Sequence, residues 1–462
     1  MPRRLAVIDV VGLVPSLMGP RLRALAERGF SRQLRPVLPA VTTSAQASML
    51  TGRLPDGHGV VGNGWYVHDL SEVRFWHQSN RLVQGPNVWE TVRERRPGLK
   101  VAKMFWWHNM YSSADVSVTP RPEYPADGRK LPGVYTQPPE LRGALERRHG
   151  PFPLFRFWGP GADLRSTRWI VDASLSVLED ERPDLLLAYL PHLDYVLQKQ
   201  GPAGPDVAAH AAAVDAEAGR LADVAQAAGM HVVVVSEYGI GAVSRPVFPN
   251  RLLRREGWLR ALWQGSVGET LDAGASRAFA VCDHQVAHVY VADPADVPAL
   301  VTLLERLPGV GRVLHAESRR AAGLEHPRAG QIVLEAQADA WFAYPYWLDD
   351  ARAPDFARTV DIHRKPGYDP AELFFDPGLR FPKLRVARRL LQKKLGFRTL
   401  MDVIPLDPCM VAGSHGRLPD DPALWPLLLG SQGVLPPQGE QLDLRAVHGL
   451  IKGVLLEEGE AA

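Results

Sequence analysis

Three carboxylates stand at equivalent places in three similar segments. "RLAVIDVVG" carries Asp9 near the end of its aliphatic run, "PDLLLAYLPHLD" ends at Asp194, and "HVVVVSEYG" delivers Glu237 followed by Tyr238. The runs are unbroken rather than alternating, as in strands buried on both faces. Carboxylates gathered in one crevice raise each other's pKa, and a divalent cation relieves the repulsion. One alone would read as a helix cap or a solvated loop residue. Three together read as a metal-binding set.

A second group is Thr42, Thr43 and Ser44, which open the helical pattern "SAQASML". A hydroxyl there meets free backbone N–H groups and the positive end of the helix dipole. That setting suits a phosphoryl group, and a metal would lower the hydroxyl pKa. A plain Thr or Ser N-cap is the competing reading.

Helical patterns such as "DVAAHAAAVDAEAGRLADVAQAAG" separate the aliphatic runs. Alternating strands and helices predict an α/β fold with a mostly parallel central sheet and helices on both faces. Ligands of such sheets bind at the carboxyl ends of the strands, where the three acids would converge.

The chain has 462 residues, a formal net charge of +2 and 46% hydrophobic residues. That balance gives no reason to expect bulk nucleic acid as a partner. Two cysteines, Cys282 and Cys409, make no disulfide framework. No apolar segment approaches the ~18 residues of a transmembrane helix, and the expected location is cytoplasmic.

The stretch "PAVTTSAQASMLTGRLPDGHGVVGN" resembles the nucleophile region of the nucleotide pyrophosphatase/phosphodiesterase family, within the alkaline phosphatase superfamily. Thr51, Gly52, Pro55, His58, Gly59 and Asn63 match that family's run after the nucleophile. In this register the nucleophile is Thr42, and Asn63 falls where the family has an Asn donating to a phosphoryl oxygen. Asp9, Asp194, "SEYG" and His415 match further motif positions. The resemblance implies an alkaline-phosphatase-like core in 1–264 and 401–462, with an inserted α+β cap in 265–400. It also implies two divalent ions, zinc in the family. Asp9, Thr42, Glu237 and Tyr238 would hold one; Asp194, Gln198 and His415 would hold the other. The reaction implied is cleavage of a small phosphorylated substrate through a phospho-threonine.

Three positions depart from the pattern. Gln198 and Tyr238 replace histidines, and Glu237 replaces an aspartate. Oxygen donors then outnumber nitrogen, which favours Mn²⁺ or Mg²⁺. Asp283, His284 and His288 in "VCDHQVAH", and His192, are candidate substitutes, though buried imidazoles are commonly satisfied by neighbours. Three functions stay open: a phosphodiesterase or nucleotide pyrophosphatase, a phosphomonoester or phosphonate hydrolase, and a non-catalytic phospholigand-binding protein.

Trp65 and Tyr66 follow Asn63 closely and are expected as a substrate-stacking wall. His363, Arg364 and Lys365 form a cationic cluster suited to an anionic substrate. "KLRVARRLLQKKLGFR", 383–398, carries seven Lys or Arg and no acid. It reads as an amphipathic helix packed on the core by its apolar face; an anionic membrane surface or a partner is the alternative.

Overall fold

A computed structural model describes residues 3–126, 128–439 and 442–457. Its centre is an eight-stranded sheet. In spatial order the strands are Phe30–Gln33, Leu427–Gly430, His231–Val235, Leu5–Val10, Leu185–Leu190, Val101–Met104, Val116–Pro120 and Val134–Gln137. The run from His231–Val235 to Val116–Pro120 is parallel throughout. Leu427–Gly430 and Val134–Gln137 pair antiparallel with its two outer members.

The unbroken aliphatic runs have a direct cause. Successive side chains of a strand point to opposite faces. Ala6 and Ile8 enter one core, under helices that include Leu164–Glu181 and Val207–Ala227. Leu5 and Val7 enter the other, with residues of Thr42–Thr51, Val88–Arg93 and Ala446–Leu456. Both faces are covered, so neither position can be polar.

Register gathers the strand ends. Asp9 lies beside Tyr189 on one side and Val235 on the other. Glu237 is therefore two residues beyond Asp9's neighbour, and Asp194 is five beyond.

A second sheet is antiparallel, with strand order Ala278–Asp283, Val286–Val291, Ile332–Ala336 and Val310–His315. It lies within 265–400 and has its own core, including Ala280, Val289, Leu300 and Leu334. Trp65 packs into this second core rather than lining a substrate wall. Tyr66 likewise packs edge-on against Phe279 and Tyr290.

The basic segment forms the helix Pro382–Lys394 as predicted, but none of its residues is buried. Leu384 and Leu391 face solvent, contrary to the packed arrangement expected.

Candidate active site

Thr42 is the first residue of the helix Thr42–Thr51 and is almost fully buried. The loop after that helix is stitched back onto it. Thr43 Oγ1 donates to Gly62 O (2.7 Å), Ser44 Oγ to Val60 O (2.9 Å), and Ser48 Oγ meets His58 Nε2 (3.0 Å). The Thr43 N–H donates to Asn63 Oδ1 at 3.1 Å. Gly52 ends the helix at φ +68, a left-handed conformation suited to glycine. The motif spacing therefore fixes Asn63 beside the first turn. Asp283, from the second sheet, holds Asn63 in turn: its carboxylate accepts from Asn63 Nδ2 (3.1 Å) and N–H (2.8 Å).

Thr42 Oγ1 lies 2.9 Å from the Tyr238 hydroxyl. The Tyr238 ring stacks on His415, with centroids 3.6 Å apart. Burial, then the charges of Asp194 and Glu237, push the Tyr238 phenol pKa well up. Tyr238 is therefore a neutral phenol that orients Thr42, unless a cation draws out its phenolate.

Gln46, which no sequence pattern marks, lies at the centre of the site. Its Nε2 donates to Glu237 Oε1 (2.7 Å) and Asp9 Oδ2 (3.2 Å), bridging the two carboxylates. Its Oε1 accepts from the Trp107 N–H at 2.7 Å. It sits four residues after Thr42, on the same helix face.

Asp194 and Gln198 occupy the helix His192–Gln200. Gln198, expected as a metal ligand, has both ends of its amide engaged. Its Nε2 donates to Asp194 Oδ2 (2.7 Å), and its Oε1 accepts from the Tyr368 hydroxyl (2.8 Å). His415 Nδ1 donates to Ala40 O at 2.8 Å. A carbonyl only accepts, so Nδ1 carries the proton and Nε2 presents its lone pair. That Nε2 is 3.7 Å from Asp194 Oδ1.

The acids feel their burial. Desolvation, and next the charge of Glu237, raise Asp9 well above the carboxylate range. Burial also pushes Glu237 up to about 6, Asp194 to about 7 and Asp283 to about 6.

Four acceptor atoms of the predicted metal set are buried without a hydrogen-bond partner: Asp9 Oδ1, Glu237 Oε2, Asp194 Oδ1 and His415 Nε2. Buried polar atoms are rarely left so, and unpartnered acceptors invite a cation. Among the described residues, no three His, Cys, Asp or Glu side chains group by themselves around one ion. The Thr42 and Tyr238 hydroxyl oxygens lie beside these acceptors.

The substitutes behave differently. His288 Nε2 bonds Val61 O (2.9 Å) and its Nδ1 accepts from the Gly330 N–H, so it is structural. His192 pairs with His210 at 2.7 Å. His284 bonds Asp283 Oδ1 (2.8 Å) and stacks on Tyr368, with centroids 3.6 Å apart.

Thr42, Asp194, Tyr238 and His284 line a cleft of about 2900 Å³. Trp76, Trp107, Trp158 and Tyr368 provide its aromatic walls, taking the place expected for Trp65 and Tyr66. His363 and Arg364 also line it, whereas Lys365 does not. The Lys365 ammonium is buried and committed to Asp369 (2.7 Å) and Glu372 (2.8 Å).

The family model for type I phosphodiesterase / nucleotide pyrophosphatase matches residues 5–369, and the chain belongs to that family. A pyrophosphatase/phosphodiesterase of Schizosaccharomyces pombe, itself uncharacterized, is 24% identical over 264 residues, 55% of this chain and 46% of that protein. Human ectonucleotide pyrophosphatase/phosphodiesterase family member 1 is 21% identical over 235 residues, 48% of this chain and 21% of that protein. The chain thus matches less than half the length of these relatives. Phosphonoacetate hydrolase from Sinorhizobium meliloti superposes with a TM-score of 0.60 at 17% identity, covering 98% of this chain and 96% of that one. Murine ectonucleotide pyrophosphatase / phosphodiesterase 5 gives 0.60 at 14% identity, covering 98% and 95%. The fold is alkaline-phosphatase-like.

Proposed function

We propose that this chain is a metal-dependent phosphoric ester hydrolase, of phosphodiesterase or nucleotide pyrophosphatase type, with Thr42 as nucleophile. The observation that carries this reading is the Thr42 hydroxyl: it lines a large cleft, beside four buried acceptor atoms that have no partner in the protein.

In this reading Thr42 Oγ1 attacks phosphorus as the P–O bond to the leaving alcohol or phosphate breaks, and water then hydrolyses the phospho-threonine. Tyr238 holds the hydroxyl in place, and the proton that Thr42 releases passes to water in the cleft. Asn63 spends one amide hydrogen on Asp283 and offers the other to a phosphoryl oxygen. His363 and Arg364 meet the anionic substrate along the cleft. Gln198 orients Asp194 rather than binding metal. Asp9, Glu237, Asp194 and His415, with the Thr42 and Tyr238 oxygens, would hold divalent metal, which when bound supplies charge neutralisation at the reacting oxygens. The oxygen-rich set favours Mn²⁺ or Mg²⁺ over the zinc expected from the family.

The likeness to a phosphonoacetate hydrolase supports phosphonate hydrolysis as a second reading. Rates on bis-p-nitrophenyl phosphate, p-nitrophenyl phosphate and phosphonoacetate, each with added Mn²⁺, Mg²⁺ or Zn²⁺, decide the subclass. Fastest cleavage of the diester is expected. Binding of phosphorylated ligands with no turnover under any metal would instead make this a phospholigand-binding protein.

A further inference from the structure

The helix Pro382–Lys394 is built the wrong way round for a soluble surface. Leu384, Leu391 and Leu395 share one face by their spacing, and they are 66%, 57% and 66% exposed. Phe381 and Phe397 flank them at 61% and 64%. Such a run of exposed large apolar groups marks an interaction surface. The helix is held by its other sides. Arg385 and Arg389 pair with Asp402, while Lys383, Leu390, Lys393 and Lys394 line the cleft that holds Thr42. Among the described residues, Lys383, Arg388, Lys393 and Lys394 make no ion pair. The segment 383–398 contains no acid.

We propose that this face docks on an anionic membrane surface, with Leu384, Leu391, Leu395, Phe381 and Phe397 entering the interfacial layer and the flanking Lys383, Arg388 and Lys394 meeting lipid headgroups. Charge complementarity selects this occupant. A second copy would bring like charges together, and a nucleic acid backbone would leave the apolar groups unused. Because the same helix walls the cleft, docking presents the aromatic-lined entrance to the membrane.

The test is flotation of the purified chain with vesicles of phosphatidylcholine alone or mixed with phosphatidylglycerol. The chain is expected to float with the anionic vesicles and to bind phosphatidylcholine at least about tenfold more weakly, given the contribution of each basic residue near a charged surface. Leu384→Glu combined with Leu391→Glu should release it while leaving cleavage of soluble bis-p-nitrophenyl phosphate unchanged, since neither side chain lines the cleft. The proposal is overturned if wild type stays in the buffer, or if the double variant floats equally well. A wild-type dimer that the same variant dissolves would also overturn it, by making a second copy the occupant. Vesicle binding without hydrolysis of any phosphoester would sink the catalytic reading and support the docking one; hydrolysis without vesicle binding would do the reverse.

Discussion

The Tyr238 hydroxyl lies 2.9 Å from Thr42 Oγ1 while its ring stacks on His415. One side chain thus joins the proposed nucleophile to the late histidine, at a position where relatives of this fold are expected to carry a metal-binding imidazole. The phenol is buried and kept neutral by desolvation and by Asp194 and Glu237. Its service to Thr42 is orientation by one hydrogen bond. Tyr238→Phe keeps the stacking and removes both that bond and the oxygen offered to a metal. It should lower kcat about tenfold to a hundredfold, with KM little changed. Steady-state kinetics on a diester substrate checks this.

Gln46 donates to two carboxylates, Asp9 and Glu237, that also lie within hydrogen-bond reach of each other. Gln46→Leu removes that bridge and also the partner of the Trp107 N–H. The metal-free protein should lose about 1–3 kcal/mol of stability for buried groups left unsatisfied. Urea unfolding in the presence of a chelator measures it. Saturating divalent cation should recover part of the loss by binding only the folded state.

Lys103 is buried, with its ammonium donating to Trp107 O (2.8 Å) and His108 O (2.9 Å). Burial pulls its pKa down to about 7, against 10.5 for the free side chain. Between those values the unfolded chain holds a proton that the folded chain has released. Raising pH through that window therefore favours folding. Wild type should gain stability relative to Lys103→Met from pH 7 toward pH 10, by up to roughly 1.4 kcal/mol per pH unit. Urea midpoints of the two proteins at several pH values test the slope.

Gln198→His with Tyr238→His restores the two imidazoles that the family resemblance predicts, and frees Tyr368 from its bond to Gln198. The double variant should retain more zinc after purification than wild type, because imidazole is the stronger zinc ligand. Metal content by mass spectrometry reads this directly.

The sheet was legible because its strands are buried on both faces, and that constraint shows as unbroken aliphatic runs such as "VVVV". Thr42 and Asn63 enter through the family resemblance, and local hydrogen bonds that tie the loop to its helix keep their spacing fixed along the chain. Gln46 left no such mark: a lone polar residue in a short helix is ordinary until the carboxylates facing it are known. The sequence offers Asp283 and His284 as candidate ligands, but their approach to Asn63 through the second sheet, more than 200 residues away, is a contact no local pattern encodes. The aromatic wall was misplaced for the same reason. Trp65 and Trp76 lie on the two sides of one hairpin region, and only packing decides which faces the cleft. The basic helix shows the reverse case: its periodicity was plain, but the side that would be covered was not.

The central claim is that Thr42 carries the phosphoryl group. Rapid quenching in acid during turnover of bis-p-nitrophenyl phosphate, followed by peptide mass spectrometry, examines it directly. A phosphoester adduct on the peptide containing Thr42, absent together with turnover in a folded Thr42→Ala variant, is the predicted result. Turnover that persists undiminished in Thr42→Ala, or an adduct on another residue, would contradict it.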